Sequence, residues 1–421
     1  MAIEKVIIIG GGIAGIASAL CLARIRNENP KVNITCTVYE IRSIPSTIGG
    51  AINLTPNALR YLEHLGVLSK LQSRGAPVPF IEIFSQRNGA KLGVLSFDNA
   101  EKSKHQAMRI QRGLLLDAML ETAKEAGIQV QFGKKVVEIG MRDEQGQCNG
   151  VRVRFEDGEV AEGDLLLGCD GIHSYVRSVL ELDRKPVYSG IATAYGMFDD
   201  RDGLKKGLPF DTTALWSGRR GSLLASWANP EKTRMYVAAV METQEVASRE
   251  GWKVIGEDQD AVKANVMERF HNPSVPYLQR LIAGVDAYFL YPVYKLPPHG
   301  KWSAGCAILL GDAAHAMPPQ GESLGLAIED TILFTRVLEA YYGQSCAEIF
   351  MVYEKLRKPR IDAAFDEANF RWENVRDVGF IVSYLREWMT TLYLWWMKKA
   401  HADNMAYDVR NIDMHDTNTK S

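Results

Sequence analysis

The chain has 421 residues, long enough for two or three interleaved lobes, and its 46% hydrophobic and 24% charged residues are ordinary for a soluble globular protein. A formal net charge of −2 gives no electrostatic reason to expect nucleic acid or an anionic membrane as a partner. The 8 histidines are scattered and none of the 6 cysteines forms a C-x-x-C pair, so no metal site is expected and the thiols read as small buried groups in a reducing cytoplasm.

Val6 to Ile25 is apolar enough to suggest a signal peptide, but Gly10, Gly11 and Gly12 interrupt it, Arg24 and Arg26 close it, and no small-residue cleavage site follows. It reads instead as a β-α-β unit: a buried strand over residues 3–9, a helix from Ile13 to Ile25, and a strand from Ile34 to Glu40. The turn between the first two is Gly10-Gly11-Gly12-Ile13-Ala14-Gly15, a G-x-G-x-x-G. In such a turn Gly10 makes the tight bend, Gly12 lets a pyrophosphate reach the backbone, and Gly15 lets the helix close on the strand. The helix N-terminus then offers unpaired N–H groups to the phosphates. Glu40, at the end of the second strand and roughly 25 residues further on, is placed to accept hydrogen bonds from ribose hydroxyls. This motif does not itself separate FAD from NAD.

Pro56 to Leu65 is a helix with Gly66 just past its end. Ile81 to Phe97 alternates around Asn88-Gly89, a hairpin signal. Arg112 to Ala126 is helical and stopped by Gly127; Ile128 to Phe155 is strand-like and turns at Asp157-Gly158; Leu165 to Cys169 is another buried strand. From Val187 to about Leu296 the chain is mostly strand-like (Ile191 to Phe198, Gly221 to Trp227, Arg234 to Met241), with one helix near Val262 to Phe270. Ala307 to Leu310 is a short strand, and beyond Ser323 the chain is almost wholly helical. Within that region Tyr384 to Met397 carries Leu392, Trp395 and Trp396, but Arg386, Glu387 and Lys398 leave too short an apolar run to span a bilayer. The expectation is an amphipathic helix packed on the body, contact with a membrane surface being the lesser alternative. The implied division is a discontinuous nucleotide-binding domain (1–80, 100–186 and 300–340), a β-rich domain (81–99 and 187–299) and a helical C-terminal region (341–421).

Two further segments choose the cofactor. Asp164-Leu-Leu-Leu-Gly168-Cys-Asp170-Gly171-Ile-His-Ser174-Tyr-Val-Arg177 follows a strand and opens a helix. Leu310-Gly311-Asp312-Ala313-Ala314-His315, then Pro318-Pro319 and Gly321, leads into a long helix. With the glycine turn, these segments resemble in order and spacing the dinucleotide fold, the D-G motif and the G-D motif of class A flavoprotein monooxygenases, notably salicylate-hydroxylase-like and secondary-metabolite enzymes. The resemblance covers residues 3 to about 365. It implies an α/β fold in which a Rossmann-type, glutathione-reductase-like FAD-binding domain is interleaved with a β-sheet substrate domain and followed by a helical C-terminal region. It implies an enzyme that takes FAD and NAD(P)H, with molecular oxygen and a small organic substrate, and inserts one oxygen atom by hydroxylation or epoxidation.

Carried over residue by residue, the resemblance implies cofactor contacts at Gly10, Gly12, Gly15, Glu40, Gly50, Ala51, Arg112, Asp170, Asp312, Gly321 and Gly325, and puts Tyr195 and Pro318 beside the reacting face. Asp170 and Arg177 resemble a pair serving both FAD and the visiting nicotinamide, the alternative being a pair that only organises a loop. His315 corresponds to a mainly structural histidine.

Two departures stand out. After the prolines, Pro319-Gln320-Gly321-Glu322-Ser323-Leu324-Gly325 is about one residue shorter than the usual G-x-G form, which puts Ser323 and Gly325 in doubt as direct contacts. Many relatives carry an arginine where Tyr195 stands, and a neutral tyrosine argues against a carboxylate substrate such as salicylate. Tyr195, Trp216, Trp227 and Tyr236 form either a substrate roof or ordinary core. The rival reading on the same fold is an FAD-dependent oxidase or dehydrogenase, reduced by its organic substrate without NAD(P)H; a non-catalytic flavin sensor is a third.

Overall fold

The run Lys5–Ile9 (KVIII) is apolar at successive rather than alternate positions, as a strand buried on both faces must be. A computed structural model places it in the middle of a six-stranded sheet and describes residues 3–46, 49–97, 104–144, 147–201, 203–319 and 321–414, so that Gln320 of the post-proline loop lies outside the described residues. Lys5–Ile9 pairs in parallel with Thr35–Glu40 on one side and Leu165–Gly168 on the other. Gln129–Phe132 and Ala307–Leu309 extend the sheet in parallel, and Ser303–Ala304 closes one edge antiparallel. Strands from both ends and the middle of the chain therefore meet side by side. The helix Ile13–Glu28 has an apolar surface all round and packs against both Ser323–Ala340 and Arg112–Glu125.

A second sheet of seven strands runs in the order Phe289–Lys295, Val187–Asp199, Arg234–Glu242, Gly221–Trp227, Thr213–Gly218, Phe80–Ser85, Lys91–Ser96. Its pairs are antiparallel except Thr213–Gly218 with Phe80–Ser85. The Asn88-Gly89 hairpin joins its last two strands, with Gly89 at φ +72°, where glycine is favoured. Behind the sheet lie three short helices, Arg249–Glu257, Gln259–Phe270 and Tyr277–Gly284, where the sequence predicts one. Ser248 and Asp258 cap the first two through their side chains. Helices of two or three turns carry too few apolar repeats to be told from the surrounding strands. Trp216 and Trp227 are fully buried in the core between this sheet and these helices.

Two smaller sheets complete the fold. Val136–Glu144, Gln147–Phe155 and Val160–Gly163 form an antiparallel meander. Ala51–Leu54, Met108–Gln111 and Ala76–Pro77 form a small antiparallel sheet that the sequence does not predict, because strands of two to four residues have no readable period. The C-terminal helix spans Phe380–Ala406, longer than expected. Its middle is held on Phe80–Ser85 and Lys91–Ser96, where the Ser85 hydroxyl donates to Glu387 at 2.5 Å and the Thr391 hydroxyl to the Leu92 carbonyl at 3.0 Å, and its end is held by Arg60, which donates to the Met405 carbonyl at 2.8 Å. Its aromatic face does not pack on the body, since Trp388, Trp395 and Trp396 are exposed. Among the described residues no helix is long and apolar enough to cross a membrane. All six cysteines are free.

Candidate active site

The glycine turn sits where the six-stranded sheet meets the helix Ile13–Glu28. Gly10 has φ +108°, and a Cβ there would lie 2.3 Å from the Cys169 carbonyl oxygen. A Cβ on Gly15 would lie 1.9 Å from the Gly10 carbonyl oxygen, so the helix can approach the turn only without a side chain. Gly12 differs: a Cβ there meets nothing within 4 Å. Gly12 is also the N-cap of Ile13–Glu28 and supplies no side-chain cap, so the helix presents bare N–H groups to that space. Glu40, nearly buried, accepts from the Gly11 N–H at 2.7 Å through Oε2 and from the Arg42 N–H at 3.0 Å through Oε1.

Asp312 follows Ala307–Leu309 and opens the short helix Asp312–His315. Gly311, before it, takes φ +62°, and a Cβ there would stand 3.2 Å from the Ala14 side chain, which puts Asp312 beside the glycine turn. The Asp312 side chain is open to solvent yet surrounded by protein, and burial in this cleft pushes its carboxyl above the ordinary range against the pull of His315 and Arg112. Asp170, on the other side of the turn, accepts from the Tyr175 and Val176 N–H groups through Oδ2, while its Oδ1 is buried with no partner among the described residues. Burial raises its carboxyl as well.

Gly50 (φ +122°) packs so closely on Tyr195 that a Cβ would lie 2.8 Å from the ring, and its carbonyl accepts from the Arg112 N–H at 3.0 Å. Ala51, Tyr195 and Tyr236 share a small buried cluster separate from the main cores. Tyr195 stands 6.1 Å from Tyr236 and 5.3 Å from Phe289, ring centre to ring centre. The exposed Arg112 lowers the pKa values of Tyr195 and Tyr236, which burial raises more strongly, and it also acts on Asp312. Gly-turn, Asp312, Arg112 and the tyrosine cluster thus border one cleft. Beyond the prolines, Gly321 takes φ +86° and the helix Ser323–Ala340 starts without a side-chain cap, while Gly325 lies in its first turn against Asn57 and Ala58. Pro318 is buried, and the Pro319 carbonyl accepts from the Trp372 indole at 3.0 Å.

Residues 4–368 match the FAD binding domain family. The chain belongs to that family. Relatives of known activity include 6-hydroxynicotinate 3-monooxygenase of Bordetella bronchiseptica, 26% identical over 85% of this chain and 88% of that protein. The FAD-dependent urate hydroxylase of Klebsiella oxytoca is 28% identical over 84% of this chain and 89% of its own. In fold, the chain matches the crystal structure of Klebsiella pneumoniae HpxO complexed with FAD and uric acid, with a TM-score of 0.78 over 96% of each chain at 23% identity. The protein is an enzyme of the FAD-dependent monooxygenase type.

The cleft of this flavoprotein fits the cofactor. The void at Gly12, two uncapped helix N-termini, and the partnerless Asp170 oxygen are features that a bound dinucleotide would fill or satisfy. The structure decides two points that the sequence leaves open. Arg177 does not pair with Asp170: its guanidinium donates to the carbonyls of Arg184, Ala313 and Ile172 at 3.1, 3.0 and 2.5 Å, bracing the segment that carries Asp312. Trp216 and Trp227 belong to the core behind the seven-stranded sheet and cannot form a substrate roof, whereas Tyr195 and Tyr236 are brought together. Along a strand the two faces alternate, but which face meets the cleft is decided by the neighbouring elements.

His315 is structural here. It is buried, and its Nε2 donates to Asp330 Oδ2 at 2.6 Å. Asp330 also accepts from the Gly311 N–H at 2.7 Å and from Arg357 Nε at 2.6 Å. Arg357 in turn holds Glu329, which Arg360 also reaches. This buried network was not singled out from the sequence; carboxylates at adjacent helix positions Glu329 and Asp330, inside an apolar run, were the available signal.

Proposed function

We propose that this flavoprotein uses NAD(P)H and molecular oxygen to hydroxylate or epoxidise a small aromatic substrate. The observation that carries this reading is that the described residues hold a single glycine-turn nucleotide fold, which FAD takes, and that its cleft ends on a cluster of aromatic rings, Tyr195, Tyr236 and Phe289. With one such fold, the nicotinamide visits and leaves. The names of the relatives, which act on hydroxynicotinate and urate, support a ring substrate.

Glu40 and Asp312 would hold the ribose and ribityl hydroxyls of bound FAD, Gly12 would admit its pyrophosphate, and the bare N-terminus of Ser323–Ala340 would favour the extra negative charge of the reduced flavin. Gly10, Gly15, Gly50, Ala51, Arg112, Asp170, Gly321 and Gly325 shape the same cradle. Tyr195 and Pro318, both buried, would line the reacting face of bound FAD and exclude water from it. Bound FAD supplies the acceptance of electrons and the activation of oxygen. Glu40→Ala and Asp312→Ala are each expected to weaken FAD retention about tenfold or more, because each removes a carboxylate that would accept hydrogen bonds from the bound cofactor; flavin content after gel filtration measures it.

The deciding experiment follows NAD(P)H and O2 consumption by the purified holoenzyme with a panel of hydroxylated aromatics. Substrate-stimulated consumption, with product heavier by one oxygen, is expected. Anaerobic reduction of the flavin by an organic substrate, with NAD(P)H inert, would establish an oxidase or dehydrogenase instead.

A further inference from the structure

Arg109 lies in Met108–Gln111, the middle strand of the small sheet, and is 6% exposed. A guanidinium so deep in a protein ordinarily meets carboxylates or a set of carbonyls, because an unpaired buried charge is expensive. Elsewhere in this chain that rule holds. Arg177, Arg184 and Arg357 are all buried, and each donates to two or more backbone carbonyls or carboxylates. Among the described residues Arg109 has no such partner for its side chain, and its Nε is buried and unbonded. Burial pushes its pKa down to about 10, with Tyr236 opposing and no carboxylate helping.

What surrounds it is polar and open-handed. Its guanidinium carbon stands 5.8 Å from the centre of the Tyr236 ring. Asn53 is directly opposite Arg109 in the antiparallel register, so both side chains project from the same face of the small sheet. Asn53 is also buried, and its Oδ1 has no partner among the described residues. Because the two ends of an amide can be exchanged, Asn53 can present an NH2 to the same space. Ala51, two residues along, shares that face and belongs to the cluster with Tyr195 and Tyr236. Two buried polar side chains with unmet hydrogen bonds thus flank the aromatic end of the cleft.

We propose that Arg109, with Asn53 and the Tyr236 hydroxyl beside it, anchors a carboxylate of the substrate. The proposal rests on the reading that the tyrosine cluster borders the substrate. A planar guanidinium offers paired donors that match the two oxygens of a carboxylate, and the low-dielectric surroundings strengthen that match. The positive charge that a neutral Tyr195 cannot supply from the seven-stranded sheet comes instead from the small sheet across the cleft. Tyr195 therefore does not argue against an acidic substrate; it moves the anchor.

The test titrates the FAD-loaded enzyme with salicylate, 4-hydroxybenzoate and 6-hydroxynicotinate, each alongside its carboxamide, following perturbation of the flavin absorption bands. The wild type is expected to bind at least one acid more tightly than its amide. Arg109→Gln is expected to bind that acid about 50-fold more weakly, with amide affinity and flavin content changed by no more than about twofold. Arg109→Lys should recover part of the loss. The proposal is overturned if Arg109→Gln keeps the preference for the acid, if no acid outcompetes its amide in the wild type, or if the variant loses FAD, which would assign the guanidinium to the cofactor. Stimulation of NAD(P)H oxidation by the same compounds is recorded separately. Normal acid binding without any such stimulation would count against the monooxygenase reading alone, and the reverse result against the anchor alone.

Discussion

Arg357→Leu is expected to destabilise the folded enzyme by about 3–5 kcal/mol at neutral pH, the cost of leaving buried charge without its partner. Arg357 is wholly buried and donates to Asp330 at 2.6 Å, to Glu329 at 2.8 Å and to the Leu326 carbonyl at 2.8 Å. Burial alone would raise both carboxyls, but His315 and Arg357 at Asp330, and Arg357 and Arg360 at Glu329, outweigh it and hold them below the ordinary range. A carboxyl depressed on folding adds stability that is present above its unfolded pKa of about 4 and is lost as pH falls through the folded value. In the variant the burial effect gains ground, and protonation relieves the unpaired charge. The gap between wild type and variant should therefore be widest near neutrality and narrow towards about pH 5. Thermal melts of both proteins at the two pH values measure it; a gap independent of pH would contradict this account. Because Asp330 also fixes the Gly311 N–H at 2.7 Å, the residue before Asp312, the variant should hold FAD less well than the wild type.

The glycine turn makes a paired prediction. Gly15→Ala puts a methyl 1.9 Å from the Gly10 carbonyl oxygen, a backbone atom that cannot swing aside. The helix Ile13–Glu28 must back away from the sheet, and a loss of about 3 kcal/mol or more, with no retained flavin, is expected. Gly12→Ala has room, with nothing within 4 Å, and Gly12 has φ −79° and ψ −169°, which alanine adopts freely. That variant should fold with a melting temperature close to the wild-type apoprotein, yet bind FAD at least about 100-fold more weakly, because the methyl occupies the space kept for pyrophosphate. Circular dichroism and flavin titration of the two apoproteins separate the effects. If Gly12→Ala binds FAD as the wild type does, the void beside Gly12 is not the phosphate site.

The nucleotide half of the protein was legible in the residues themselves. Lys5–Ile9, the glycine turn, Ile13–Glu28 and Glu40 depend on contacts within one β-α-β unit, and an all-apolar strand followed by G-x-G-x-x-G encodes them locally. The Asn88-Gly89 hairpin was readable for the same reason: its register is set by the turn it contains. The resemblance of three motifs supplied the flavin. By contrast, the His315–Asp330–Arg357 network closes over 15 and 27 residues of intervening chain, and no short-range pattern says which buried charges will meet. Arg177 shows the same limit, for its position beside the D-G motif suggested an ion pair that the fold replaces with three carbonyls. Most telling is the aromatic end of the cleft. Trp216 and Tyr236 look alike as aromatic residues on alternating strands, yet one is sealed in a core and the other faces Arg109. Arg109 itself sits in a four-residue strand whose neighbours in space come from three separate stretches of sequence. Local sequence determines where the backbone can bend, extend or coil, since those preferences act over a few residues. Which buried charge finds a partner, and which is left waiting for one, is settled only when distant strands pack and remove the water between them.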